Sequence, residues 1–178
     1  MNNESGEDPS LWAFSIFIQD QRWEKKIPAL EDLVYLTLKV SGSFFPFIHH
    51  PTETSLVFAD DSFLHNLNLT YRGKDTPTNV LSFPGSDFQK GMKFIPLEGI
   101  PVPLGDIVLS YDTIERESVE QNKSFTHHLQ HLLVHGFLHL WGFDHVEDAD
   151  ALEMESLEIK ILNKLNIENP YREILCHS

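Results

Sequence analysis

The segment from Phe125 to Trp141, ending in the run HGFLHLWGFDH, constrains the fold more than any other part of the chain. A helix this apolar has to be covered on most sides, so the remaining elements must be layered around it. Yet it carries polar side chains that no core needs. His135 and His139 are one helical turn apart, so their imidazoles can converge on one ion about 2 Å from each nitrogen. Gly142 follows at the point where a left-handed residue would end the helix and reverse the chain, which can return His145 over the same face. Three neutral nitrogens leave the fourth tetrahedral position open, as in catalytic zinc rather than structural zinc. The bland alternative is a histidine-rich helix without metal, since the chain has 10 His. His127 and His131 continue the same ladder, so His131 with His135 is a rival pair. That pair has no third ligand from a turn, and His131 is expected instead as a hydrogen-bonded partner beside the site.

The spacing H-x-x-x-H-x-x-G-x-x-H is that of the metzincin proteases, with Gly136 where they place the glutamate base. Peptide hydrolysis by their mechanism is therefore not expected. Asp144 has two readings. It is a base or an orienter of a metal ligand, or it is a turn aspartate capping the next helix.

Around the central helix the pattern alternates. Leu11–Gln19, Thr54–Asp60, TNVLSFP and GDIVLSY read as strands. IPALEDLVYLTLKV, DDSFLHNLNLTYR, Asp112–Gln121 and Val146–Asn166 read as helices, and Gly85–Pro103 as a surface loop or irregular hairpin. The fold class is α/β (α+β): a single zincin-like domain with a small mixed sheet of about four strands packed with about five helices, one of them the central metal-binding helix. Residues 1–10 are expected as a disordered tail and 11–178 as one domain. The lone Cys176, the absence of a signal-like start and the absence of a long apolar run fit a cytoplasmic protein.

The second dense stretch is LTYRGKDTPTNVLSFP, Leu69 to Pro84. Arg72 and Lys74 flank Gly73 on an expected loop, in a chain whose net charge of −14 repels polyanions elsewhere. The two cations either contact phosphate or pair with Asp75, Glu53 or the helix C-terminus. Lys90 and Lys93 would enlarge the patch if they folded near it. Tyr71 and Phe83 are expected in the core, with base stacking as the alternative.

From about Leu56 to Tyr171 the chain resembles the YbeY endoribonucleases. The resemblance rests on NLTYRGKDTPTNVLSFP, LGDIVLS, HLLVHGFLHLWGFDH and the closing EMESLEIKIL with NPY, which occur in the family's order. It implies a single-strand-specific, metal-dependent endoribonuclease that matures the 3′ end of 16S rRNA and removes defective ribosomes. It also implies Zn2+ on His135, His139 and His145, and a functional arginine at Arg72. Phe143 stands where the family commonly has tyrosine, so a phenol at that position is not required. The implied partners are the 16S rRNA precursor, the small ribosomal subunit and an assembly GTPase, with neither membrane nor DNA expected. The attacking group would be zinc-activated water or the RNA's own 2′-hydroxyl. The alternatives are a zinc peptidase and a non-catalytic assembly factor with a structural metal.

Overall fold

The computed structural model describes residues 12–45, 50–88 and 97–172. The expected tail at 1–10, Lys90, Lys93 and Cys176 lie outside the described residues. In chain order the elements are β1 (Trp12–Ile18), α1 (Arg22–Lys26), α2 (Leu30–Gly42), β2 (Thr52–Ala59), α3 (Asp61–Arg72), β3 (Val80–Pro84), β4 (Val102–Ser110), α4 (Tyr111–Glu120), α5 (Phe125–Leu140) and α6 (Asp148–Lys164). The strands form one mixed sheet ordered β1-β2-β4-β3, in which β1, β2 and β4 run parallel and β3 is an antiparallel edge. The long Gly85–Pro103 segment therefore closes a hairpin, and β4 takes over its last two residues.

Strand alternation decides which helix covers which face. Leu56 and Ile107 are register partners, and both turn into the large core that holds Leu129, Leu133 and Phe137 of α5. Side chains on the opposite face, Ala59, Leu81 and Val108, pack instead with Leu64 of α3. So α5 and α3 lie on opposite faces of the sheet. Edge strand β3 contributes to both: Ser82 Oγ donates to the Gly136 carbonyl of α5 at 3.2 Å, while Leu81 and Phe83 join the α3 cluster. α6 closes over α5 through Met154, Ile161 and Leu162 against Val134 and Leu138.

The sheet and five of the helices follow the expected pattern, and α1 is additional. With five residues it is too short to show a helical period. It is held by Trp23, which is fully buried, donates its indole N–H to the Ala59 carbonyl at 3.0 Å and packs edge-on against Phe58 and Tyr111. Arg22 of the same turn bridges Asp20 and Asp112, tying α1 to the start of α4. Among the described residues no helix is long and apolar enough to cross a membrane.

Candidate metal centre and the edge strand beside it

α5 begins at Ser124, whose side chain accepts the His127 N–H, and its middle is buried on nearly every side from His128 to Leu140. It ends in a hydrogen-bonded glycine turn. The Phe143 N–H donates to the Leu138 carbonyl at 3.1 Å, the Gly142 N–H to the His139 carbonyl at 3.0 Å, and Gly142 takes φ 80°. Asp144 then accepts the Val146 N–H on Oδ1 at 2.9 Å and is exposed. It shapes the turn, and the cap position of α6 belongs to Glu147 instead. This reversal brings His145 over His135 and His139, so that one ligand nitrogen from each lies within 4.8 Å of the others.

Two of the three rings have fixed orientations. His135 Nδ1 is 2.7 Å from Glu158 Oε1, and His139 Nδ1 is 2.8 Å from the Phe143 carbonyl. Both acceptors are oxygens without a proton to give, so each Nδ1 carries the hydrogen and each Nε2 presents a lone pair. The two Nε2 atoms face each other at 3.0 Å. Two lone pairs at that distance repel unless a cation lies between them, so the donor set fits a metal ion. Burial, followed by the neighbouring charges of His135 and His145, pushes the His139 pKa down to about 4, which keeps this ring neutral and ready to ligate.

Glu158 was not legible as part of the site. It comes from α6 and is fully buried, with Oε1 on His135 and Oε2 shared by His131, at 3.2 Å, and the Tyr171 hydroxyl. Burial alone would raise its pKa, but the hydrogen bonds from His131, His135 and Tyr171 outweigh it and hold the carboxyl at about 2. A permanently ionised carboxylate behind a ligand histidine fixes the tautomer and raises its basicity. His131 faces Glu158 as expected of a hydrogen-bonded neighbour. Its ring centre is 6.5 Å from that of His135, against 4.6 Å between His135 and His139.

The missing glutamate has a packing reason. A Cβ on Gly136 would come within 3.0 Å of Ser82 Oγ and 3.1 Å of Ile107 Cγ2. The helix lies on the sheet at this residue, and no long side chain fits there.

Across β3, the structure corrects two expectations. Arg72 is the last residue of α3, ahead of Gly73 at φ 65°, rather than on a loop. Tyr71 is 67% exposed and not in the core, its ring tilted against that of Phe83 with centres 5.3 Å apart. Asp75, a suggested partner of the cations, instead meets His65 at 2.6 Å. Among the described residues neither Arg72 nor Lys74 has an ion pair or a side-chain hydrogen bond.

Residues 17–166 match the family described as Endoribonuclease YbeY. A Rhizobium etli protein named Endoribonuclease YbeY is 51% identical over 166 residues, covering 88% of this chain and 91% of its own. One of the same name from Methylocella silvestris is 44% identical over 163 residues, covering 90% and 86% respectively. The solution structure of TM1509 from Thermotoga maritima shares the fold at a TM-score of 0.50 and 19% identity, covering 93% of this chain and 99% of that one. With the match running through both the histidine helix and the Arg72 stretch, the chain belongs to the YbeY endoribonuclease family.

Proposed function

We propose that this protein is a single-strand-specific, zinc-dependent endoribonuclease that matures the 3′ end of 16S rRNA and takes part in ribosome quality control. It would work in the cytoplasm on the small ribosomal subunit, together with an assembly GTPase. One observation carries the chemistry: two Nε2 lone pairs, each fixed by an acceptor on Nδ1, face each other at 3.0 Å with His145 closing the third side. Family membership supports RNA as the substrate.

His135, His139 and His145 would hold the ion. When bound, it would supply Lewis acidity and lower the pKa of a water toward about 7. Glu158 keeps His135 in its ligating tautomer, and the Phe143 carbonyl does the same for His139. Arg72, unpaired among the described residues, neutralises the charge that grows on the phosphodiester. Asp144, exposed in the ligand turn with one oxygen on the Val146 N–H, would receive on its other oxygen the proton that the attacking water or 2′-hydroxyl loses as its oxygen bonds to phosphorus. A peptidase reading is disfavoured because the position of the metzincin base is Gly136, which packs closely against the side chains of Ser82 and Ile107.

The test is cleavage of a single-stranded RNA, a duplex RNA and casein, with and without chelator, alongside metal analysis. Loss of single-strand cleavage on chelation and its return with zinc are expected, with the other two substrates intact. Arg72→Glu keeps metal and melting temperature while cleavage falls roughly 30- to 1000-fold, and Arg72→Lys recovers part of it. Wild-type cleavage by Arg72→Glu would remove that residue from the mechanism. A 2′,3′-cyclic phosphate on the product would assign the attack to the RNA's own 2′-hydroxyl rather than to water.

A further inference from the structure

Ser82 and Phe83 are consecutive residues of edge strand β3 and point to opposite faces. Ser82 touches the Gly136 carbonyl, next in sequence to the ligand His135, and Phe83 packs against Tyr71. Only the edge of one strand therefore separates the histidine helix from an exposed aromatic ring. That ring is followed in sequence by Arg72 and Lys74, two cations without side-chain partners among the described residues of a chain with net charge −14. Tyr71 is exposed to 67% although α3 has an apolar cluster close by, and its contact with Phe83 is T-shaped at 68°, which leaves a π-face uncovered among the described residues. A free aromatic face beside unpaired cations has the chemistry of a single-strand platform, with bases on the ring and phosphates on the charges.

We infer that Tyr71, braced by Phe83, stacks a nucleobase of single-stranded RNA beside the cleaved bond, with Lys74 on the phosphate next to that base and Arg72 on the phosphodiester that is cleaved, so that the strand lies over the β3 edge between the ring and the histidines. The inference rests on the RNA reading above and adds a source for strand selectivity. A duplex keeps its base faces against each other and has none to offer the tyrosine, whereas an unpaired strand can turn a base out and still follow the edge. Stacking tolerates any base, so the platform confers preference for single strands without a sequence requirement.

The experiment compares metal-loaded wild type, Tyr71→Ala, Tyr71→Phe and Arg72→Glu by fluorescence anisotropy. One probe is a cleavage-resistant 2′-O-methyl phosphorothioate strand, and the other is the same backbone without bases. Tyr71→Ala is expected to bind the base-bearing strand about 5- to 100-fold more weakly and the abasic strand as wild type does. Tyr71→Phe behaves as wild type, and Arg72→Glu weakens both probes. On cleavable RNA, Tyr71→Ala raises KM and leaves kcat, metal content and melting temperature unchanged. Unchanged affinity of Tyr71→Ala for the base-bearing strand overturns the inference. So does an equal loss on both probes, which would make the ring a support for the loop. Failure of the wild type to bind either probe would instead remove the RNA reading itself, and the platform with it.

Discussion

Two of the histidine–carboxylate pairs of helix α5, His128–Glu117 and His135–Glu158, have their histidines seven residues apart and differ in which nitrogen is tied down. His128 meets Glu117 through Nε2 at 2.7 Å, and its buried Nδ1 has no hydrogen-bond partner. His135 meets Glu158 through Nδ1 at the same 2.7 Å, which leaves Nε2, the nitrogen farther from the backbone, projecting toward His139. Glu117 also accepts from Asn79 at 2.9 Å, so the first pair joins α4, α5 and the start of β3. Burial raises the Glu117 pKa, but those two hydrogen bonds outweigh it and leave it below its ordinary value. The same residue types thus serve as an interhelical tie at one end of the helix and as a ligand with its brace at the other. Access decides between them: the Nε2 of His135 projects to a point shared with another element, whereas at His128 Nε2 is spent on a carboxylate and the remaining Nδ1 is buried.

The widest separation between the two pairs comes from removing the rings. Wild type is expected to carry about one equivalent of transition metal, the occupancy of a single site with three protein ligands. His135→Ala, His139→Ala or His145→Ala should each lower metal affinity by more than about a hundredfold and abolish cleavage. His128→Ala keeps its metal and loses roughly 2 kcal/mol of stability, because Glu117 is left without its charge-assisted partner. Metal analysis and denaturant unfolding on all four variants check this. Full metal in every ligand variant would place the site elsewhere on the helix, with His131 and His127 the residues to test next.

The two halves of the metal site differ in how far the sequence reveals them. The three ligands follow a local rule, a helical turn followed by a glycine stop, and local rules survive folding. Glu158 lies 23 residues from His135, and in EMESLEIK it looks like one more charge on an amphipathic helix. One sign was present. Met154, Glu158, Ile161 and Leu162 form the buried stripe of α6, so a carboxylate occupies a position where the period calls for a hydrophobe. Tyr71 was misplaced for the opposite reason. It continues the stripe of Leu64 and Asn68, but α3 ends one residue later and the ring meets the sheet only at Phe83 of the edge strand, which leaves it mostly exposed. The sheet order and the antiparallel edge were also out of reach, because strand pairing is decided by contacts distant in sequence.

A smaller effect comes from the braces. Glu158→Gln should weaken metal binding about 10- to 100-fold, whereas Glu117→Gln leaves it unchanged. Competition with a chromophoric chelator measures both, and equal affinities in the two variants would erase the distinction between the pairs. Acid sharpens the same contrast in the metal-free protein. His139 titrates at about 4 when folded against an ordinary 6.5, and Glu158 at about 2 against 4.5. Each binds fewer protons folded than unfolded in those windows, so the stability they contribute is complete at neutral pH. It is lost as pH falls, first from 6.5 toward 4 and then from 4.5 toward 2. A denaturant midpoint that stayed flat from pH 7 to pH 4 would contradict the neutral, buried His139. In the loaded protein protons compete with the ion for each imidazole, so metal should be released over the upper window before the chain unfolds.

The finest comparison is between two glycines that end helices in the left-handed region, Gly73 after α3 at φ 65° and Gly142 after α5 at φ 80°. A side chain at either position pushes its Cβ toward the following carbonyl, a strain of about 1–2 kcal/mol. At Gly73 a Cβ would meet no atom within 4 Å, so backbone strain is the whole cost. Gly73→Ala should therefore lower stability by about that amount, and Gly142→Ala by at least as much. They part at the metal. The turn closed by Gly142 is what carries His145 back over His135 and His139, and its Phe143 carbonyl also sets the His139 tautomer. Relaxing the strain in Gly142→Ala moves both features together, and metal affinity should drop several-fold, with His145 the first ligand lost. Gly73→Ala should leave metal affinity at the wild-type value, even though Arg72 precedes it, because α3 supplies nothing to the ion. Equal metal affinities in the two alanine variants, at equal loss of stability, would mean that His145 finds its place without the glycine turn.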